Sequence, residues 1–254
     1  MNYLEIVQEA HRYIGGGNQL PAPNTPSTVV GQTGYFYDLV KSAAAAYKDI
    51  QREQDKWAFM QKQTSFVILT GQRTITQAAM VVQIPDYETL MPDTVNGGYR
   101  FLIIYSTADG VQDSSICTYV PYQQWRGVVD YSVIPTGKPY LYTIQPNGTI
   151  EFNTVTDKPY TMVCDYYQKV IEWVQVDVGP VLADQQTPIF PSRFHEAVVW
   201  RTVNYWGGTV QNTGAFGRSG AEYERIMSEL RSECLPEMLL DLSAYTRRGY
   251  GIFW

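Results

Sequence analysis

The stretch from Thr33 to Phe59, TGYFYDLVKSAAAAYKDIQREQDKWAF, carries the longest single period in the chain. Phe36, Leu39, Val40, Ala43, Tyr47, Ile50 and Trp57 recur at three- and four-residue steps, which places them on one face of an α-helix. Asp38, Lys41, Lys48, Asp49, Arg52 and Glu53 take the rest of the circumference. The alanines from Ala43 to Ala46 have the highest helix propensity and leave room for a neighbouring helix to approach closely. Thr33 is the expected N-cap, with no capping-box acid three residues on. At about 1.5 Å per residue such a helix is roughly 35 Å long. One apolar stripe cannot bury itself, so its partners must come from elsewhere in the chain.

Both ends of the chain offer such partners. Tyr3 to Ile14 reads as a short helix with Leu4, Val7, His11 and Ile14 on one side. Gly15 to Gly17 stop it, and Pro21, Pro23 and Pro26 keep the next segment extended. A phosphate loop is excluded, because Asn18 and Gln19 stand where that motif needs Lys and Ser/Thr. Far downstream, Ser192 is the expected cap of a helix from Arg193 to Tyr205, with Phe194, Ala197, Val198, Arg201 and Tyr205 on one face. Gly207 and Gly208 end it, and a loop with Asn212, Gly214 and Gly217 follows. Gly220 to Leu235 is the last helix: Tyr223, Ile226, Met227, Leu230 and Cys234 form its stripe, and Glu222, Arg225 and Glu229 a solvated ladder. Residues 1–62 and 188–240 are thus expected to form one α-helical bundle.

Between them the period changes to two, and residues 63–187 read as an inserted antiparallel β domain of about six strands. Thr64 to Thr70, a turn at Gly71-Gln72, and Arg73 to Thr76 read as a hairpin. Pro85 to Pro92 reads as a loop that positions Tyr87 and Leu90. Tyr99 to Tyr105 is a strand, turned at Asp109-Gly110 and returned by Ser115 to Val120, and Pro121 to Arg126 is one helical turn. Tyr140 to Ile144 and Thr149 to Phe152 flank Asn147-Gly148, the preferred sequence of a type I′ turn. Tyr160 to Tyr167 is a further strand. The fold class expected is α+β: a helical bundle from both ends, an inserted antiparallel β domain, and an extended C-terminal arm, 241–254.

Convergent chemistry is scarce. Cys117, Cys164 and Cys234 lie far apart with no C-x-x-C, which reads as three buried thiols. Only two histidines are present. His11 reads as packed and hydrogen-bonded, and His195, in a helix's first turn, as a capping or interface residue. Gly217-Arg218-Ser219-Gly220 lacks the spacing of a nucleophile elbow, and Ser219 there reads as an ordinary cap. Asp109 and Asp113 belong to a turn rather than a calcium loop. Asp86, Glu88 and Asp93 share one segment, the one arrangement that suits a carboxylate pair. No catalytic, cofactor or metal site is expected, and the protein reads as no enzyme. A net charge of −6 argues against gripping nucleic acid by its phosphates. No window approaches the roughly 20 apolar residues of a membrane helix, and the N-terminus carries acids where a secretion signal carries Lys or Arg. The 20 tyrosines and 6 tryptophans suit interfaces, where a ring is buried while its polar tip meets water.

The tail MLLDLSAYTRRGYGIFW has no helical period beyond Leu242. It either folds back on its own bundle or docks on another subunit. In the second case Tyr245, Arg247, Arg248, Tyr250, Phe253 and Trp254 are the interface residues toward that subunit.

An ordered series of segments carries a resemblance. MNYLEIVQEA, GQTGYFYDLV, DIQREQDKWAFM, TSFVILTGQ, GKPYLYTIQPNGTIEFNTVTDKPYTMVCDYYQ, PIFPSRFHEAVVWRTVNYW and AEYERIMSELRSECLPE succeed one another along most of the chain. In this order the chain resembles the phage head-to-tail adaptor proteins, the connector or tail tubular protein A-like family. The resemblance implies a structural virion protein of the neck, assembled in the host cytoplasm. It implies a homo-oligomeric ring, commonly a dodecamer, beneath the portal protein, extending the DNA channel and offering a platform to the tail nozzle or next tail protein. It also implies that PIFPSRFHEAVVW and AEYERIMSEL are subunit-packing helices. DNA is then a non-specific passenger, and no membrane or cofactor is involved. The alternative is a carbohydrate-binding or polysaccharide- or peptidoglycan-degrading virion component.

Overall fold

The computed structural model describes residues 1–14, 25–54, 56–93, 98–99, 102–173, 180–207 and 213–235. Helices and strands are both present, and the described chain divides into two units. Met1–Met60 and Lys169–Leu235 form one; Gln61–Gln168 forms the other.

In the helical unit, α1 (Tyr3–Ile14) buries Tyr3, Ile6, Val7, Ala10, His11 and Ile14. The organising helix α2 spans Gly34–Arg52 and buries Leu39, Val40, Ala43, Ala46, Tyr47, Ile50 and Gln51. It stops earlier than the periodicity predicts. Glu53 closes it, and Trp57, still fully buried, lies past its end, where its indole donates to the Ile50 carbonyl at 3.0 Å. That bond takes up one of the carbonyls a helix end leaves open. Thr33 stands at the N-cap in extended backbone, but its hydroxyl makes no capping bond.

A short α5 (Pro180–Asp184) precedes a 3-10 turn, Ser192–Phe194, and α6 (Glu196–Gly207). Ser192 is therefore not the cap of α6. The last helix, α7 (Thr213–Cys234), is longer than expected: Gly214 and Gly217 lie inside it rather than in a loop, and Ser219 is buried mid-helix rather than capping. Helix α6 packs against α1, α2 and α7, and Ala197, Val198, Val199, Trp200, Thr202 and Val203 are all buried. A helix apolar over most of its circumference belongs at the centre of its unit, and α6 holds that place.

The chain re-enters the helical unit at Lys169, ahead of the expected 188. Two contacts hold it there. The Gln51 amide donates to the Ile171 carbonyl and accepts from its N–H, both at 2.9 Å. The Trp173 indole is stacked between Tyr3 and Tyr47, with centroids 4.2 and 4.4 Å away.

The other unit is an eight-stranded sheet with a separate short pair, β4 (Pro92–Asp93) with β5 (Gly98–Tyr99). Its path runs β1 (Gln61–Ile68), β10 (Tyr160–Gln168), β6 (Leu102–Ser106), β7 (Ser115–Tyr119), β8 (Leu141–Ile144), β9 (Ile150–Phe152), β2 (Thr74–Ile75). Strand β3 (Tyr87–Leu90) joins β10 beyond the end of β6. The expected hairpin of β1 with β2 does not form: β1 pairs with β10, and β2 with β9. Within Pro85 to Pro92, Tyr87–Leu90 is a strand rather than part of a loop, with Tyr87 and Leu90 buried. The sheet is not wholly antiparallel. β7 and β8 run parallel, Thr118 beside Leu141, and α4 (Tyr122–Val128) lies in their crossover. Helix α3 (Gln77–Gln83) has no counterpart in the expected reading.

One side of the sheet faces a core of Phe66, Ile68, Leu102, Ile104, Tyr142, Phe152, Tyr160 and Met162, with Met80 of α3 and Ile84 against it. Trp57, Trp125, Tyr3, Tyr47, Tyr142 and Tyr160 are fully buried. Many of the aromatics expected at interfaces are therefore core residues of the single chain.

Candidate interaction surfaces

Inside the helical unit, Asp49 of α2 and Glu53 at its C-cap collect the groups that face them. Asp49 accepts from Arg201, at 3.3 Å, and from the Tyr205 hydroxyl, both on α6. Glu53 accepts from the Tyr223 hydroxyl at 2.8 Å and from Arg231, both on α7. These ties join helices from both ends of the chain. On the outer side of α7, Glu222, Arg225 and Glu229 form the expected ladder of ion pairs three and four residues apart, and Arg218 extends it by one pair to Glu222. Such exposed pairs are screened by water and contribute little to stability.

The histidines belong to the packing of this unit. His11 is buried, shares a hydrogen bond with the Tyr35 hydroxyl at 3.0 Å and meets the Phe36 ring edge-on. His195 lies 3.0 Å from the Phe190 carbonyl through Nε2, and 3.0 Å from the Met1 carbonyl through Nδ1. Burial lowers the pKa of both below the ordinary histidine value.

In the sheet unit the three carboxylates read as a possible pair serve other ends. Asp86 accepts from Lys62 at 2.6 Å and from the Tyr166 hydroxyl at 2.8 Å. Its pKa is lowered: those two bonds and the Lys62 charge outweigh desolvation, individually the largest influence, which acts the other way. A carboxylate held ionised in this way is poorly placed to act as a general acid. Glu88 is exposed on β3, and the Asp93 side chain lies outside the described residues. Asp109 and Asp113 pair with Lys158 and Lys138. Cys117, Cys164 and Cys234 are buried and free. Among the described residues no group of His, Cys, Asp or Glu could hold a metal ion, and no helix is long and apolar enough to cross a membrane.

The outer side of the sheet differs along its length. Over β8, β9 and β2 it is covered: Arg73 pairs with Glu151 at 2.7 Å and lies 4.8 Å from the centre of the Tyr131 ring, while the Tyr131 hydroxyl and Gln145 donate to Glu151. Over β10, β6 and β7 apolar side chains face outward. Ile103 and Ile116 stand side by side in register, 36% and 56% exposed, and Val163 is next to Ile103 on β10. By strand alternation Tyr105 and Val67, both half-buried, share this side. Nothing in the sequence reading singled out this face. Its signal was an apolar residue at both parities of LIIYS, where a half-buried strand alternates.

The expected interface residues Tyr245, Arg247, Arg248, Tyr250, Phe253 and Trp254 lie outside the described residues. In comparison with known proteins, the sequence model of the SU10 adaptor protein family matches residues 1–244. No curated protein matches.

Proposed function

The chain belongs to the SU10 adaptor protein family, a family of phage head-to-tail adaptors, and on that ground we propose that it is a ring-forming structural protein of the virion neck. Copies of the chain close into a ring beneath the portal, extend the DNA channel and offer a platform to the next tail protein. The family match over residues 1–244 is the observation that carries this reading. Charge is consistent with it. A net −6 leaves duplex DNA free to slide, because a lumen that does not neutralise phosphates releases few counterions and holds the duplex weakly. The helical bundle supplies the rigid wall, and 241–254 supplies an arm that reaches a neighbouring component, the portal or another subunit, through Tyr245, Arg247, Arg248, Tyr250, Phe253 and Trp254. The protein acts by assembly rather than by catalysis, and needs no cofactor.

Light scattering and negative-stain microscopy, with and without a portal protein, test the proposal. A ring seated on the portal is the expected result; a monomer indifferent to portal protein overturns it. Deleting 244–254 is expected to leave the melting temperature within a few degrees and to abolish assembly. Assembly retained at full strength assigns the arm no role.

A further inference from the structure

The outer face over β10, β6 and β7 presents a row of side chains at right angles to the strands: Ser65, Val163, Ile103, Ile116, one from each of four neighbouring strands in register. At about 4.8 Å between strands the row is roughly 14 Å long. Its two isoleucines are exposed, although the same side of the sheet is covered further along.

The sequence contains a segment of matching dimensions. In Arg248-Gly-Tyr-Gly-Ile-Phe-Trp254 the residues at alternate positions are Arg248, Tyr250, Ile252 and Trp254. An extended chain therefore carries three large apolar side chains on one face, with Gly249, Gly251 and Phe253 opposite them. From Tyr250 to Trp254 that face spans about 13 Å, close to the length of the row. The charges also agree. Arg247 and Arg248 are the charged residues of 244–254, whereas acids outnumber bases in Gln61–Gln168. Asp165, held by Gln63 at 3.1 Å, stands on the same side of β10 as Val163.

We propose that the row Ser65–Val163–Ile103–Ile116 of one copy is the seat for the extended segment Arg248–Trp254 of a neighbouring copy, an inference that rests on the ring reading above. Tyr250, Ile252 and Trp254 lie across the row, and the two arginines lie toward Asp165. The contact is heterologous, a segment of one copy on the sheet of the next, and so propagates around a ring.

Cysteine cross-linking tests this directly, because the three native cysteines are buried. Full-length protein carrying only Ile103→Cys is mixed with protein carrying only Ile252→Cys and oxidised. A covalent dimer in the mixture, absent when Gly251→Cys replaces Ile252→Cys, is the expected result. No dimer overturns the proposal, and so does a bond within one chain of the doubly substituted protein. Sedimentation of the same samples separates the two readings: rings without the cross-link remove the seat and leave the ring, and the cross-link without rings removes the ring. Ile116→Glu, at an exposed position, is expected to keep the melting temperature and to raise at least tenfold the concentration at which rings form. An unchanged concentration overturns the seat.

Discussion

Pro146 decides the form of the turn between β8 and β9. Asn147-Gly148 predicts a type I′ turn with both residues at positive φ, yet among the described residues only glycines take positive φ, and Gly148 stands at +77°. The Gly148 N–H donates to the Gln145 carbonyl, which makes Pro146 and Asn147 the central pair. Proline's fixed φ suits the first central position of a type I turn, and Gly148 completes it in the left-handed region. Gly148→Ala is expected to cost about 1–2 kcal/mol, because a Cβ is strained at that φ. The new Cβ also comes within 2.9 Å of Gln77 Oε1, the far end of a side chain that can shift. Chemical denaturation checks the figure. Trp57→Phe keeps most of the buried ring but leaves the Ile50 carbonyl without its indole donor. That change is expected to lower stability by about 1–3 kcal/mol in the same assay.

Side-chain amides take the place of strands at the level of elements. Strand β1 ends the sheet, and the Gln83 side chain of α3 accepts from the Val67 N–H at 2.8 Å and donates to its carbonyl at 3.1 Å. Gln51 does the same for Ile171, and Asn153 accepts from the N–H groups of Tyr140 and Leu141. An open sheet edge is a template for pairing with other chains, and Gln83 closes part of this one. Gln83→Ala is expected to leave the core intact and to increase concentration-dependent association, read by size-exclusion chromatography. The helical stripes follow simpler arithmetic. Leu39 and Leu230 are fully buried on α2 and α7, and truncating either to alanine is expected to cost about 2–5 kcal/mol in a melt. A neutral result contradicts the packing of those two helices.

Proton uptake couples the buried histidines to the stability of the whole molecule. Burial holds His11 and His195 below 6.5 in the folded chain, against about 6.5 when unfolded. As pH falls through 6.5 the unfolded chain takes up protons first, so stability, complete above that value, declines toward the lower folded pKa values. A melting temperature that falls between pH 7 and pH 5, with His195→Gln reducing the slope, is the expected outcome. An unchanged slope in that variant places the effect elsewhere.

Helix α1 was legible from end to end, and the buried faces of α2 and α7 largely so, because a helix closes its hydrogen bonds locally and its period marks what it buries. The free, buried cysteines and the packed His11 were legible for the same kind of reason: too few partners of the right type stand near them in sequence. The sheet was less so. Most of its strands could be found, but their pairing depends on residues a hundred positions apart, as Thr64 beside Cys164 shows. Nothing local distinguishes that pairing from the hairpin of β1 with β2. The amide surrogates, the central place of α6 and the bare face at Ile103 and Ile116 were likewise decided only in three dimensions. Each depends on which distant backbone or side chain arrives alongside, and a sequence pattern records a residue's own preferences, not its neighbours across space.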